Sequence, residues 1–151
     1  MTPNFLAFCE VLAHSEGTIS EPDPYRVCFG KHHTIVDLSD HPSVTGEWMG
    51  EHWAGGLSTA AGKYQINKPS WLDGKAAAHL SDFDGDSQDA WVAWKLSSRG
   101  ILELVDAGQA QEAISRSAGI WASLPGGNSG QPEKSFAELL GVYAGAGGAY
   151  A

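Results

Sequence analysis

Apolar residues near the start of the chain recur with the spacing of one helix face. The pattern predicts a helix over residues 3–16, with Thr2 as the N-cap, Pro3 as the first helical residue and Gly17 as the stop. At about 100° per residue, one face of this helix is apolar. It carries Phe5, Phe8, Cys9, Leu12 and Ala13. Glu16 falls in the middle of the same face, which is an unusual place for a carboxylate.

The pattern changes after this helix and becomes helical again after Asn67. β-Branched and aromatic runs at 25–29 and 34–38, separated by turn residues, predict short strands and loops, and 64–66 is a further predicted strand. Helical spacing and capping residues predict five later helices, over 69–78, 86–98, 101–107, 109–118 and 132–144. Asn67 is the predicted cap of the first of these, and Asp86 or Ser87 of the second. The predicted fold class is α+β, mainly α, with a small β-sheet inserted after the first helix.

The length of 151 residues predicts one compact domain, 1–151. Hydrophobic residues make up 42% of the chain and six are Trp, which excludes wholesale disorder. No stretch approaches the roughly 18 consecutive apolar residues of a membrane helix. The first 16 residues lack a cationic start and carry Glu10 and Glu16, so we expect no secretory signal.

The charge balance excludes two classes of partner. There are 18 Asp and Glu against 9 Lys and Arg, a formal net charge of −9. Affinity for nucleic acid comes mostly from Lys and Arg that neutralise phosphates, so we expect no nucleic-acid partner. The same balance disfavours docking on anionic lipid, and we expect no stable membrane insertion.

Glu16 is the main candidate for chemistry. An ionised carboxylate on an apolar face is costly, and the negative end of the helix dipole adds to that cost. Both effects raise the pKa of Glu16 toward the range that a general acid needs near neutral pH. The alternative is that Glu16 lies one turn past the buried stripe and meets solvent or a Lys.

Other polar clusters favour structural interpretations. The acidic run over 82–89 resembles a calcium loop, but Gly85 stands at its fourth position and Ala93 at its twelfth. We interpret it as a solvated loop leading into a helix. Four histidines in the loop-rich region lack a ligand spacing: His32, His33, His41 and His52. We therefore expect no metal site. Cys9 is expected in the core, with a bridge to Cys28 left open.

The tryptophans divide into two groups. Trp91 and Trp94 have helical spacing and are expected in the core. Trp48 and Trp53 lie in a Gly-rich polar loop, where they are candidates for the wall of a sugar-binding groove, because aromatic faces pack well on sugar C–H faces.

Four ordered segments carry a family resemblance. They are 12–18 (LAHSEGT), 37–42 (DLSDHP), 58–66 (STAAGKYQI) and 120–126 (IWASLPG), the last followed by Gly130 and Gln131. With this spacing over nearly the whole chain, the sequence resembles the phage lambda endolysin family of lytic transglycosylases. The resemblance implies a lysozyme-like fold and cleavage of the MurNAc–GlcNAc β-1,4 bond of peptidoglycan. It also implies Glu16 as sole acid and base, and a reaction that uses no metal and no cofactor.

The resemblance also implies the substrate-binding residues. Two segments look like opposite walls of a cleft beside the acid. The implied residues are Ser58, Thr59, Tyr64, Gln65, Ile120, Trp121 and Ser123. The loop 44–57 and Arg26 depart from the family pattern, which affects the subsite contacts more than the acid.

The resemblance leaves two other activities open. A hydrolase usually needs a second carboxylate as nucleophile or base, and the candidates are Asp37, Asp40, Glu47 and Glu51. A non-catalytic module would bind glycan in the same groove through its Trp residues. For the enzyme we expect a monomer without a separate wall-binding module, located in the host cytoplasm and released to the cell wall at lysis.

Overall fold

The computed structural model describes residues 1–128 and 132–151, which form two compact units. Unit 1 comprises Met1–Ile19 and Lys95–Ala151, and unit 2 comprises Ser20–Trp94. The expectation that 1–151 act as one catalytic domain stays a prediction. Gly130 and Gln131, which belong to the family resemblance, lie outside the described residues. No helix in the described part of the chain is both long and apolar enough to span a bilayer.

The described residues are mainly helical and include a small antiparallel sheet. The elements are α1 (Pro3–Glu16), α2 (Pro42–Thr45), β1 (Glu51–Trp53), β2 (Gly56–Ser58), α3 (Lys68–Ala77), α4 (Gly85–Ser98), α5 (Leu102–Asp106), α6 (Ala110–Ser117) and α7 (Phe136–Gly145). Two short 3₁₀ turns, Pro24–Arg26 and Phe29–Lys31, precede α2. Helix α4 begins in unit 2 and ends in unit 1. The predicted fold class is confirmed.

Helix α1 has the predicted ends and the predicted buried face. The Phe5 N–H donates to Thr2 Oγ1 at 3.0 Å, and Gly17 closes the helix in the left-handed region at φ 75°. All five predicted apolar residues of the face are buried. Within unit 1, α1 packs against α5 and α7, and His14 Nε2 lies 2.7 Å from Glu138 Oε2 of α7. This packing fixes the helix end that carries Glu16.

The later helices begin where local hydrogen bonds cap them. Asn67 caps α3 as predicted and accepts a bond from the Ser70 N–H at 3.0 Å. The N-terminus of α4 is instead capped by Asp84, which accepts from the Ser87 N–H at 2.9 Å. Helix α7 starts at Phe136, four residues later than predicted, because Ser135 is its cap. Periodicity therefore located the helices, and the side-chain caps set their first residues.

The predicted strands at 25–29, 34–38 and 64–66 are wrong as extended strands. Pro24 favours a helical turn, capped by Asp23, and only single bridges such as Val27 with Thr34 remain. Residues 61–66 form a tight loop closed by the bridge between Ala61 and Ile66. Local β-propensity was overridden here because the runs are short and turn residues separate them.

The sheet forms in the segment that the sequence predicted as a Gly-rich loop. Strands β1 and β2 pair antiparallel, with Trp53 opposite Gly56 across a two-residue turn. A Cβ on Gly55 would lie 2.2 Å from the Trp53 ring, so any other residue at this position would displace the ring. Trp53 is 38% exposed, whereas Trp91 is in the core, as expected, and Trp94 is half-buried.

Candidate active site

Glu16 ends α1 in unit 1, half-buried, with a buried hydroxyl beside it. The Ser123 hydroxyl donates to Glu16 Oε1 at 3.2 Å. Ser123 Oγ also lies 2.7 Å from Ser15 Oγ, on the residue that precedes Glu16 in the helix. Ser15 and Ser123 are 5% and 6% exposed. Glu16 therefore lies at the end of a short chain of two buried hydroxyl groups.

The pKa of the Glu16 carboxyl is raised to about 7. The main cause is burial, which penalises the charged form, and the hydrogen bond from Ser123 opposes it by stabilising the carboxylate. The direction is the one expected from the position of Glu16 on the apolar face. A carboxyl with this pKa is protonated in a large fraction of molecules at neutral pH and becomes a base once it has given up its proton.

The segment 120–123 follows α6 in unit 1 and brings Ser123 to the acid. Two N–H groups, of Ile120 and Trp121, donate to the Ser117 carbonyl at 2.9 and 3.0 Å, which continues the end of α6 as a turn. Trp121 is 3% exposed and packs in the core, whereas Ile120 is half-buried. Of the three candidates in this segment, Ser123 is the one that the structure places against Glu16.

The candidates in unit 2 divide by what their side chains contact. Ser58 Oγ accepts a bond from the Ala60 N–H at 3.3 Å, and Thr59 Oγ1 accepts one from the Lys68 N–H at 2.9 Å. Thr59 thus connects the end of β2 to the first turn of α3. These two side chains fix the backbone of the segment that leads into residues 61–66.

Tyr64 is fully buried and belongs to a cluster around Asp89. Its hydroxyl donates to Asp89 Oδ1 at 2.5 Å, and the Tyr25 hydroxyl lies 3.0 Å from the same oxygen. The Lys63 ammonium lies 5.0 and 5.6 Å from the centroids of the Tyr25 and Tyr64 rings. Burial raises the pKa of Tyr25, and the charge of Asp89 adds to this. The cluster holds Tyr64 in place, so its role in a site would be to support the neighbouring Gln65.

Gln65 has an unusual backbone conformation and a fixed side-chain amide. Its φ of 52° lies in the left-handed region, which costs energy for a residue other than Gly. Its Nε2 donates to the carbonyls of Gly62 and Val27 at 2.9 and 3.3 Å. Because both donations go to carbonyl oxygens, the orientation of the amide is determined and its Oε1 is directed away from them. Gln65 therefore presents a hydrogen-bond acceptor with a fixed direction.

The loop that carries Gln65 is held from behind by Gln88 of α4, which is 0% exposed. Gln88 Oε1 accepts from the Lys63 N–H at 2.9 Å, and its Nε2 donates to the carbonyls of Tyr25 and Phe83 at 2.9 and 2.8 Å. A Cβ on Gly62 would lie 2.3 Å from Gln88 Oε1, so only glycine permits this approach. One buried amide thus joins three segments of unit 2.

The four candidate second carboxylates all lie in unit 2 and are engaged there. Asp40 accepts hydrogen bonds from Lys75, Trp71 and the His41 N–H. Burial alone would raise the pKa of Asp40, but these bonds outweigh burial and lower the pKa. Glu47 pairs with His33 and accepts hydrogen bonds from the N–H groups of Val36 and Asp37 at 2.8 and 2.9 Å. These bonds likewise outweigh burial and lower the pKa of Glu47.

The other two candidates, Asp37 and Glu51, have fewer partners among the described residues. Asp37 Oδ1 accepts a hydrogen bond from the Ser39 N–H at 2.9 Å. Glu51 Oε1 pairs with His32, while its Oε2 is enclosed beside Gly30 without a partner in the described part of the chain.

The acidic run and the cysteines also have structural roles. Asp82 accepts bonds from Ser87 and the Asp84 N–H, so the run caps α4, except for Asp89, which lies within the helix. Across residues 1–128 and 132–151, no group of three or more possible ligands is placed to hold a metal ion. Cys9 and Cys28 are buried thiols without a disulfide between them, and burial raises the pKa of Cys28 to about 12.

Sequence reasoning missed three residues: Ser15, Gln88 and Asp89. Ser15 gave a signal that was overlooked, since a hydroxyl on the apolar face of α1 needs a partner. Asp89 was interpreted as part of a solvated loop, because its distance from Tyr25 and Tyr64 along the chain hid the contact. Nothing local distinguishes Gln88 from a surface glutamine.

Comparison with known proteins identifies the family. A family model described as Endolysin matches residues 6–150. The endolysin of Escherichia phage P2 is 38% identical over 96% of this chain and 93% of its own length, and that of Escherichia phage lambda is 35% identical over 94% and 90%.

Solved structures agree with these relatives. The bacteriophage lambda lysozyme complexed with a chitohexasaccharide is 33% identical, with a TM-score of 0.90 over 100% of this chain and 98% of that chain. A second structure of lysozyme from bacteriophage lambda is 31% identical, with a TM-score of 0.82 over the same shares. The lysozyme-like fold that the sequence predicted is therefore confirmed. From the family match, the two relatives and the fold together, the chain belongs to the Endolysin family.

Proposed function

We propose that this endolysin cleaves the MurNAc–GlcNAc β-1,4 bond of peptidoglycan by lytic transglycosylation, with Glu16 as the acid and then the base. The observation that carries the proposal is the Glu16 carboxyl, half-buried at a helix end with a pKa of about 7. A similar fold in complex with a chitohexasaccharide supports a β-1,4-linked amino sugar as substrate.

The reaction needs one proton and returns it. Glu16 donates its proton to the glycosidic oxygen as the bond from this oxygen to MurNAc C1 breaks, and the N-acetyl group of the sugar stabilises the positive charge at C1. The Glu16 carboxylate then accepts the proton of the MurNAc C6 hydroxyl as its oxygen bonds to C1. The products are a GlcNAc 4-hydroxyl end and a 1,6-anhydroMurNAc end, and no water is consumed.

The environment of the other carboxylates supports transglycosylation over hydrolysis. A hydrolase usually requires a second carboxylate that activates water or attacks C1. Asp40 and Glu47 each accept three hydrogen bonds within unit 2, and Glu51 Oε2, which has no partner among the described residues, is enclosed. We propose that Glu16 works alone. We also propose that sugar is bound or its binding supported in unit 1 by Ile120, Trp121 and Ser123, and in unit 2 by Ser58, Thr59, Tyr64 and Gln65.

Two measurements on the variant Glu16→Gln, its release of muropeptides and its binding of sugar, test this function. Glu16→Gln is expected to lower muropeptide release by at least roughly 10³-fold while sugar binding persists, because it removes the proton and keeps the shape. Retained turnover would remove Glu16 from the mechanism, whereas an unmodified chain that binds glycan without ever cleaving it would indicate a binding module.

Mass spectrometry of the digest distinguishes the two reactions. Anhydro ends lack one water relative to reducing ends, so transglycosylation is expected to give products 18 Da lighter than hydrolysis would. A digest dominated by reducing ends would establish hydrolysis, and Glu51→Gln and Asp37→Asn would then identify the second carboxylate.

A further inference from the structure

Ser15 is a buried polar residue to which the proposed reaction gives no role. It is 5% exposed on the apolar face of α1, directly before Glu16. Its side chain has one hydrogen-bond partner among the described residues, the hydroxyl of Ser123 at 2.7 Å. A buried hydroxyl is costly unless it is hydrogen-bonded, and the partner of Ser15 is the hydroxyl that contacts the acid.

The direction of the two bonds follows from the chemistry of the groups. An ionised carboxylate accepts hydrogen bonds and has none to donate. When Glu16 is ionised, Ser123 therefore gives its single O–H to Glu16 Oε1, at 3.2 Å. When Glu16 is protonated, the opposite direction would make Ser123 the donor to Ser15 and leave the Ser15 hydrogen without an acceptor among the described residues, so the same direction is favoured. With that hydrogen used, the bond between the two serines has Ser15 as the donor and Ser123 as the acceptor.

We propose that Ser15 is a positioning residue that orients the Ser123 hydroxyl toward Oε1 of Glu16 and so leaves Oε2 to carry the catalytic proton. This role rests on the proposed function of Glu16. Oε2 makes no hydrogen bond to a described residue, so a proton there is available to a glycosidic oxygen. When Ser15 is absent, the Ser123 hydroxyl can rotate and accept a proton from Oε1 instead, which would direct the acid away from the substrate.

The same chain acts on the second half of the reaction. After Glu16 has given up its proton, the two hydroxyls donate in sequence toward the carboxylate, and each bond polarises the next. Ser15 thereby strengthens the one hydrogen bond that stabilises the charged form of Glu16. Among the described residues, the Ser123 hydroxyl is the one polar side chain that shifts the pKa of Glu16, and no charged side chain does so. His14, two positions before Glu16, pairs with Glu138.

Ser15→Ala tests the role through the pH dependence of kcat and through direct NMR titration of the Glu16 carboxyl. Losing a donor that supports the carboxylate is expected to raise the pKa of Glu16 by about 0.3 unit, against about 1 unit for Ser123→Ala. The kcat at the optimum is expected to fall roughly 3- to 10-fold with little change in KM, because orientation of the acid is lost and the sugar contacts are kept.

The chain offers a matched control in Ser117. It is also a buried serine of unit 1, and its hydroxyl donates to the Ala113 carbonyl at 2.7 Å without contact to Glu16. Ser117→Ala is expected to change stability while leaving the pH profile of kcat in place. Should Ser15→Ala fail to fold, Ser15→Thr and Ser15→Val have nearly equal volume and differ in the hydroxyl; the proposal requires the Thr variant to retain the parental profile and the Val variant to lose it.

The outcomes separate this inference from the function on which it rests. If Glu16→Gln is inactive but the Glu16 titration and the pH profile of Ser15→Ala superimpose on those of the parent, Ser15 has no positioning role and the inference is wrong. If Glu16→Gln keeps its turnover, the proposed function fails, whatever the serine variants show.

Discussion

At the scale of single residues, the burial that raises the pKa of Glu16 for catalysis also lowers the stability of the folded protein at neutral and higher pH. The folded chain holds this carboxyl with a pKa of about 7, against the ordinary 4.5 that it regains on unfolding. The folded state therefore binds the proton more tightly than the unfolded state does. Stability from this residue is complete below pH 4.5 and is lost as the pH rises through 7.

Glu16→Gln is accordingly expected to stabilise the protein at high pH. The variant stays neutral, so the gain should be near zero at pH 4, grow between pH 4.5 and 7, and level off at about 3 kcal/mol or less by pH 8. Urea unfolding at pH 4, 6 and 8 measures it. Glu103→Gln, at an exposed position of α5, makes the same charge change as a control. A gain that is constant from pH 4 to 8 would show that ionisation of Glu16 does not limit stability.

At the scale of secondary structure, helices were predicted more reliably than the segments between them. Thr2, Gly17 and Asn67 interact with N–H or carbonyl groups within a few positions of themselves, so their roles are visible in the sequence. The loop 61–66 is different. It contains the left-handed Gln65 and lies close to α4, and both features depend on Gln88. Gln88 accepts a hydrogen bond from the Lys63 N–H, although the two residues are 25 positions apart in the sequence.

Gln88→Leu tests how far this loop depends on α4. Leucine removes one acceptor and two donations, leaving the Lys63 N–H and the carbonyls of Tyr25 and Phe83 without their partner. We expect a loss of about 3 kcal/mol in the free energy of unfolding, measured by urea titration. Gln111→Leu, at an exposed position of α6, is the control and should change stability by no more than about 0.5 kcal/mol. Equal effects of the two substitutions would contradict a special role for the Gln88 amide.

At the scale of the whole molecule, net charge is the dominant feature. The chain carries a formal charge of −9, and peptidoglycan is itself anionic through its peptide carboxylates. Long-range electrostatics therefore opposes the encounter with the proposed substrate. Affinity has to come from short-range contacts with sugar.

Activity on cell walls should consequently increase with salt at low ionic strength. Between about 10 and 150 mM NaCl the screening length falls from about 30 to 8 Å, which weakens the repulsion, so the initial rate of wall clearing is expected to rise several-fold. Cleavage of a neutral chito-oligosaccharide, followed by chromatography, serves as the reference and should change little. A wall-clearing rate that falls steadily over this range would indicate attraction by a local basic surface.

By itself the sequence determined the mainly helical class, the ends of α1 and the unfavourable position of Glu16 on an apolar face. Each depends on periodicity or on caps that act over one or two turns. The four ordered motifs added the family. What decided the environment of the acid was tertiary: Ser15 and Ser123 are 108 residues apart in the chain, and their contact exists because α1 and the segment after α6 pack in one unit. A hydrogen bond between distant residues leaves no periodic signal, so only folding reveals which polar side chains become partners.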